Sequence, residues 1–446
     1  MRHTFPFAAT RFIFLLMPAT LCAQGIDPGQ QNVPLIASGQ MPTVMPGDGI
    51  SPTNLFTATV VLGATFDDKA IIGVATPSSD IRYDISPSLA FVQTLPRIGW
   101  GVSYGPGTNV SQHGLFPVQL SQDFGGHFTW AVSKHGSLST QENYILSTNP
   151  FQQFGVQPFT TTPSPIVSPN QTVYLANFRR TSTLSQVQYN YRLSERTSIG
   201  VSGSFGLQRY NGTTNTGAQS TLIGSQAVSG QAHFAHQFTP RNELSLQYGW
   251  QQFKYGATNA RTTTHSVFLS DDIKINQSSS IHLYGGPQYS LTSNQALLNL
   301  DFAVVEIPIK RNTLSWSAGG VYTLAGPRGA MSLGYSRAVS DGGGIIGAVV
   351  LNGGSATFSW KLTPKWSMNL GFSAADNQFL AAKTGESELL TYSARVNLGR
   401  QIYKNVGVNL FFQRLNQTGG LAILVSGNHD VAGVSLDFNF TKPVGR

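Results

Sequence analysis

Charge is what this chain has least of. Only 11% of its 446 residues are Asp, Glu, Lys or Arg, against roughly 25% in an ordinary water-soluble domain. Cysteine occurs once, at Cys22, which excludes a disulfide framework and thiolate metal sites. No apolar run reaches the ~20 residues of a spanning helix, so a membrane span would have to be made of strands. Polarity comes instead from Ser, Thr, Asn and Gln, alongside 47 Gly. Uncharged polarity of this kind suits a barrel whose outer surface cannot hold charge better than a sandwich that faces water.

The first residues have the order of a secretory signal. Arg2 and Arg11 precede the apolar run Phe12–Met17, and small residues follow near Ala23. Cleavage is expected after Ala23; a lipoprotein signal would need a small residue where Leu21 stands before Cys22. The predicted organisation is a signal peptide over 1–23, a flexible segment rich in Gly, Pro and Gln over 24–53, and a barrel over 54–446. Without Arg2 and Arg11, 26 basic residues face 20 acidic ones, a net +6. The charges are scattered, so nucleic acid is not an expected partner.

From Leu55 onward the text alternates. Phe56, Ala58, Val60, Leu62, Ala64 and Phe66 share one parity, as do Val406, Val408, Leu410 and Phe412. The other parity carries residues such as Ser198, Ser202 and Ser204, or Thr391, Ser393, Arg395 and Asn397. Period two means strands with one apolar and one polar face. Glu142 and Asp271 fall on the apolar parity and point to bulges or a shifted register there. In "NELSLQYGWQQFKY" (Asn242–Tyr255) the rule slips at Gln251-Gln252. Read as a rim bulge, the slip sends Phe253 and Tyr255 outward and leaves Lys254 near the rim of the lumen.

Connections alternate between tight turns such as "FTPRNE" and "LTPKWS" and longer polar segments, among them 148–172, 290–311 and 340–354. All six Trp residues lie on the apolar parity, several beside tight turns, as an interfacial girdle requires. These features predict an all-β fold: a transmembrane antiparallel up-and-down β-barrel of about 18 strands, with 16 as the alternative. Either 148–172 or 290–311 is long enough to fold inward as a constriction.

The stretches "GATFDDKAIIG", "SDIRYDISPSLAF", "GWGVSYGPG" and "YRLSERTSIGVSGSF", with the ending "FNFTKPVGR", resemble the β-barrel porin families of Gram-negative outer membranes. The likeness covers Leu55–Arg446. It implies a passive outer-membrane channel, in some relatives linked to export of surface polysaccharide, and it brings no catalytic residues. The aromatic alternation of "GVSLDFNF" also resembles the signal read by the barrel assembly machinery, although "TKPVGR" follows Phe440.

No residues are spaced for chemistry. His233 and His236 are three apart and would face opposite sides of a strand. "NHD" at Asn428–Asp430 reads as a solvated loop pair, and the glycines 342–344 as turn residues without a phosphate-loop context. No enzyme activity, cofactor or metal is therefore expected. The candidate functional residues are lumen-lining charges: Asp123, Arg192, Lys254, Asp272, Lys274, Lys361, Arg395 and Asp437. They either set the lumen potential or are solvated filler and salt bridges. Their basic excess suggests a mild anion preference. The expected function is porin-like diffusion of small polar solutes; a polysaccharide-export pore and a structural or adhesive surface barrel are the alternatives. Outer-membrane lipid, lipopolysaccharide and the assembly machinery are the other expected partners.

Overall fold

The computed structural model describes residues 54–71, 78–113, 118–147, 173, 178–212, 224–256, 260–300, 303–344, 347–380, 388–419 and 427–444. The expected signal peptide and leading segment lie outside these residues.

The described chain forms eighteen strands. They are β1 (Leu55–Ile71), β2 (Ser78–Thr94), β3 (Ile98–Ser111), β4 (Gln119–Ala131), β5 (Gly136–Ser147) and β6 (Phe178–Arg192). Next come β7 (Thr197–Gly212), β8 (Ser225–Thr239), β9 (Asn242–Tyr255), β10 (Arg261–Lys274), β11 (Ser279–Leu300) and β12 (Ala303–Ala325). The last six are β13 (Gly329–Ser340), β14 (Val349–Thr363), β15 (Trp366–Phe379), β16 (Glu388–Tyr403), β17 (Val406–Gly419) and β18 (Gly427–Pro443).

Each strand pairs antiparallel with the next, and β1 pairs with both β2 and β18. The ladder therefore closes and no strand lacks a paired neighbour on either side. That is the condition under which strands can cross hydrocarbon, where each unsatisfied backbone group would cost several kcal/mol. Closure runs over an unbroken register from Leu55↔Pro443 to Asp67↔Val431. Among the described residues no helix is long and apolar enough to cross a membrane.

Side chains alternate as the sequence requires. Val60, Leu62 and Phe66 on β1, Leu246 and Tyr248 on β9, and Leu410 and Phe412 on β17 are exposed on the outside. Thr65, Ser245, Gln247, Asn409 and Gln413 are buried on the inside. All six Trp residues take outward positions. Trp100, Trp130, Trp360 and Trp366 stand beside the short turns, and the guanidinium of Arg400 lies 5.1 Å over the Trp366 ring. The short turns share one end of the barrel and the longer connections the other. Two of the turns use the same chemistry. In "TPRN" and "TPKW" the Thr hydroxyl accepts from the backbone two residues on, Thr239 from Arg241 (3.2 Å) and Thr363 from Lys365 (3.3 Å). Pro presets the first turn angle.

Register shifts occur beside these turns, at Gln237/Thr239, Lys361/Thr363 and Gln401/Tyr403, and once on the first hairpin at Asp67/Ile71. None occurs at Gln251-Gln252. Pairing there is continuous on both sides, Gln251↔Thr264 through Phe253↔Thr262 and Gln251↔Ser229 through Phe253↔Ala227. The expected rim bulge is absent, so Phe253 and Tyr255 keep the inward parity of Ser245 and Gln247. Both are buried.

Glu142 and Asp271 also lie in unbroken register, opposite Gly126 and Leu244, so both carboxylates face outward rather than marking bulges. Asp271 sits near the short-turn end, where Asn242 donates to it (3.3 Å). Glu142 is in the middle of β5, and Ser185 on β6 donates to it (2.6 Å). Carboxylates at the bilayer midplane cost less than the ~2–4 kcal/mol of Lys or Arg. Glu142→Leu is expected to stabilise the refolded barrel by about 1 kcal/mol, read as a higher urea midpoint in lipid vesicles. A lower midpoint would mean that the hydrogen bond from Ser185 outweighs the cost of the outward carboxylate.

Candidate pore constriction

The β12–β13 ladder is short. Paired residues run only from Ala325↔Ala330 to Ala318↔Arg337. On either side the hairpins continue further, β11–β12 up to Leu300↔Ala303 and β13–β14 up to Ser340↔Val349. Beyond Arg337 the β13–β14 tip leaves the wall. Ser317 donates to the carbonyl of Arg337 (2.7 Å), taking the oxygen at the end of that ladder. The Arg337 guanidinium stacks 4.7 Å over Trp316 and donates to Asn352 (2.6 Å).

The tip folds into the barrel and lands four strands away. Gln251 on β9 donates to the carbonyl of Val339 (3.0 Å), and Ser225 on β8 donates to Asp341 (2.5 Å). Val339, Ala348 and Val350 of the tip, with Leu380 beyond β15, pack into one buried apolar cluster with Ala227, Phe253, Tyr255 and Ala260. Phe253 is fully buried. To span from β13 to β9 the tip must pass in front of β10–β12, and there Thr262, Thr264 and Ser290 on the inner wall are shut off from water. Gly343, Gly344 and Gly347 have φ of 61°, 103° and 101°, left-handed angles that L side chains rarely adopt. The glycine run is thus what lets the chain turn back inside the mouth.

Asp341 anchors the tip in a polar cluster. With its nitrogen toward Tyr210, the Gln208 amide donates to the Tyr210 hydroxyl (2.7 Å) and to Asp341 (3.1 Å), and its oxygen accepts from Arg180. Gln208, Arg180 and Asp341 are all buried. A carboxylate taken out of water needs such donors, since an unpaired one would carry a large desolvation cost.

This segment is neither of the two expected from length. Residues 148–172 lie outside the described residues, and 290–311 extends the β11–β12 hairpin, pairing as far as Asn299↔Val304 and Leu300↔Ala303. The inward segment that is described is short but carries the glycines and faces an apolar receiving wall.

Seven of the eight candidate charges take inward positions without meeting one another. Asp123 is buried on β4, and Arg192 stands on β6 opposite Ser198. Asp272 and Lys274 follow on β10, and His282 on β11 meets Asp272 at 2.6 Å. Lys361 is on β14, Arg395 on β16 opposite Gln413, and Asp437 on β18, where Asn409 and Ser435 donate to it. Lys254 is the exception. Because the register does not slip, it keeps the outward parity of Tyr248 and Trp250 and is exposed on the outer surface.

A second inward group was not anticipated. Asp67 on β1 is bound by Arg82 on β2 and by His429 on β18. All three are buried, and they join the strands on both sides of the closing seam. Thr65 donates to Asp84 (3.0 Å), and Asp80 is held by Ser111 and by His113 (2.9 Å). His429 therefore belongs to a strand and a buried ionic network, not to a solvated loop. Asp68 lies 3.9 Å from His429, so Asp67, Asp68 and His429 are close enough together to hold a cation. Arg82 already neutralises Asp67, which makes an ionic clamp the better reading. The signal was present in "SDIRYDI", where Asp80, Arg82 and Asp84 alternate with apolar residues. His233 and His236 do face opposite sides: His233 pairs with inward Gly200, and His236 meets Thr197 (2.9 Å) on the outward parity.

A closed antiparallel barrel of eighteen strands, apolar outside and polar inside, is the class of protein these observations define. No protein-family model and no curated protein matches the chain. Solved structures resemble it across most of its length. The siderophore receptor PiuA from Acinetobacter baumannii has a TM-score of 0.47 at 10% identity, covering 87% of this chain and 82% of that one. OccAB4 from the same organism has 0.42 at 11%, covering 87% and 98%. OpdQ from Pseudomonas aeruginosa has 0.40 at 14%, covering 89% and 100%.

Proposed function

We propose that the chain is a porin-like channel of a Gram-negative outer membrane, passing small polar solutes by passive diffusion. The observation that carries this reading is the tip held inside the barrel by Asp341 and the Phe253 cluster. A barrel of 16–18 strands encloses an aqueous channel unless something fills it, and a fixed inward segment narrows the bore while the rest of the wall stays polar. The inner wall offers hydroxyls and amides, which support passage of hydrated uncharged or weakly charged solutes rather than tight binding of one ligand.

The inner face, as described, does not favour anions. Asp67, Asp80, Asp84, Asp123, Glu243, Asp272, Asp341 and Asp437 face Arg82, Arg180, Arg192, Lys274, Arg311, Lys361 and Arg395. The basic excess expected from sequence depended partly on Lys254, which points the other way, and on missing the first hairpin. With several of these charges paired, weak selectivity with a slight cation bias follows. Refolded protein in planar bilayers tests both statements. It should give steady open channels whose reversal potential in a salt gradient lies near zero on the cation side, and Arg395→Glu should move it further that way. An absence of channels would reject the proposal, and a clear anion preference would reject the charge argument.

A further inference from the structure

A row of basic residues stands on the outward face at the long-connection end. Lys254 on β9 stands opposite Arg261 on β10, Arg261 opposite Ser293 on β11, and Ser293 opposite Lys310 on β12. On the same face Arg209 is exposed on β7, and Lys254, Arg261 and Lys310 are exposed as well. Among the described residues no carboxylate shares the outward face of the outer halves of β7–β11; on β12 the register puts Glu306 on the parity of Lys310, four residues nearer the tip. Like charges directly opposite across a ladder repel, so an anion from outside the chain would stabilise the row. The Arg261 guanidinium is already oriented, since the Gln252 amide oxygen accepts from its Nε (2.9 Å).

What lies beneath the row identifies the environment of that anion. Moving toward the short turns, the same face carries Trp250, Val267, Tyr289 and Trp316, all apolar or aromatic. Apolar residues, then aromatic rings, then cations is the sequence met in passing from hydrocarbon through the interface to the headgroups. We propose that Arg209, Lys254, Arg261 and Lys310 form a docking site for the phosphate groups of an anionic lipid of the outer leaflet. Guanidinium and ammonium groups both bind phosphate through charge-assisted hydrogen bonds. The site rests on the membrane placement of the barrel and not on its being a channel, so conductance and lipid binding fail or succeed separately.

The test uses the full chain refolded in zwitterionic detergent and titrated with lipid A carrying both phosphates, with thermal unfolding followed by loss of β-sheet circular dichroism. The midpoint should rise with lipid A and stay unmoved with inorganic phosphate at equal concentration. The triple variant R209Q/K254Q/R261Q, or the double K254Q/R261Q should the triple fail to fold, should lose at least half of the rise. The charge-keeping pair R209K/R261K should retain most of it. Several results would overturn the proposal: a wild-type midpoint indifferent to lipid A, an equal rise with dephosphorylated lipid A or with inorganic phosphate, or an undiminished rise in the neutralised variants.

Discussion

Replacing residues 341–348 by Asn-Gly is expected to raise single-channel conductance several-fold while leaving the barrel folded. Ser340 and Val349 are the last cross-strand pair of the β13–β14 hairpin, and two residues of that type close an antiparallel pair without strain. The deletion removes Asp341 with its bonds to Ser225 and Gln208, and Ala348 with its share of the apolar cluster. Magnitudes decide why a whole segment has to go. A hydrogen bond to a charged group contributes about 1.5–3 kcal/mol, and burial of a side chain such as Phe253 about 1.5–3 kcal/mol. Losing either alone leaves the other to hold the tip. Asp341→Ala should therefore give channels of nearly unchanged mean conductance but with added current noise from a loosened tip. Unchanged conductance after the full replacement would show that the tip does not limit flow.

Much of the barrel is legible in the sequence because period-two alternation and turn chemistry are local. A lipid-facing strand cannot hide its parity, and "TPRN" or "TPKW" announces its own turn. The count of eighteen strands and the sorting of short and long connections follow from these signals. The constriction is legible only in pieces, because it depends on what lies across the lumen. Gln251-Gln252 looks like a change of register, since from Phe253 onward large apolar residues occupy the parity that faced water lower down. The parity is in fact constant and the environment changes: above Gln251 the inner wall meets the folded tip, so inward residues become apolar. Lys254 was misplaced by the same inference. The glycines at 342–344 were identified as turn residues, but nothing local says that their turn points into the barrel.

Asp67→Ala is expected to destabilise the barrel by about 3–5 kcal/mol, the usual result of removing one partner from a buried ionic pair. Asp67 accepts from both Arg82 and His429, and Arg82 is itself well buried, so the variant leaves inside the wall a guanidinium whose remaining carboxylate neighbour is Asp84. The position magnifies the effect. β1 and β18 meet there, and Asp67↔Val431 is the last pair of the closing ladder, so loosening the clamp frays the one seam that joins the two ends of the barrel sequence. Arg82→Met together with Asp67→Leu should recover most of the loss, because a packed apolar pair replaces a charge pair at little net cost. Heat-modifiable migration in SDS gels and urea unfolding in vesicles would both read the change. A single variant as stable as the wild type would mean that water enters the seam and solvates Arg82, and that closure rests on the backbone ladder alone.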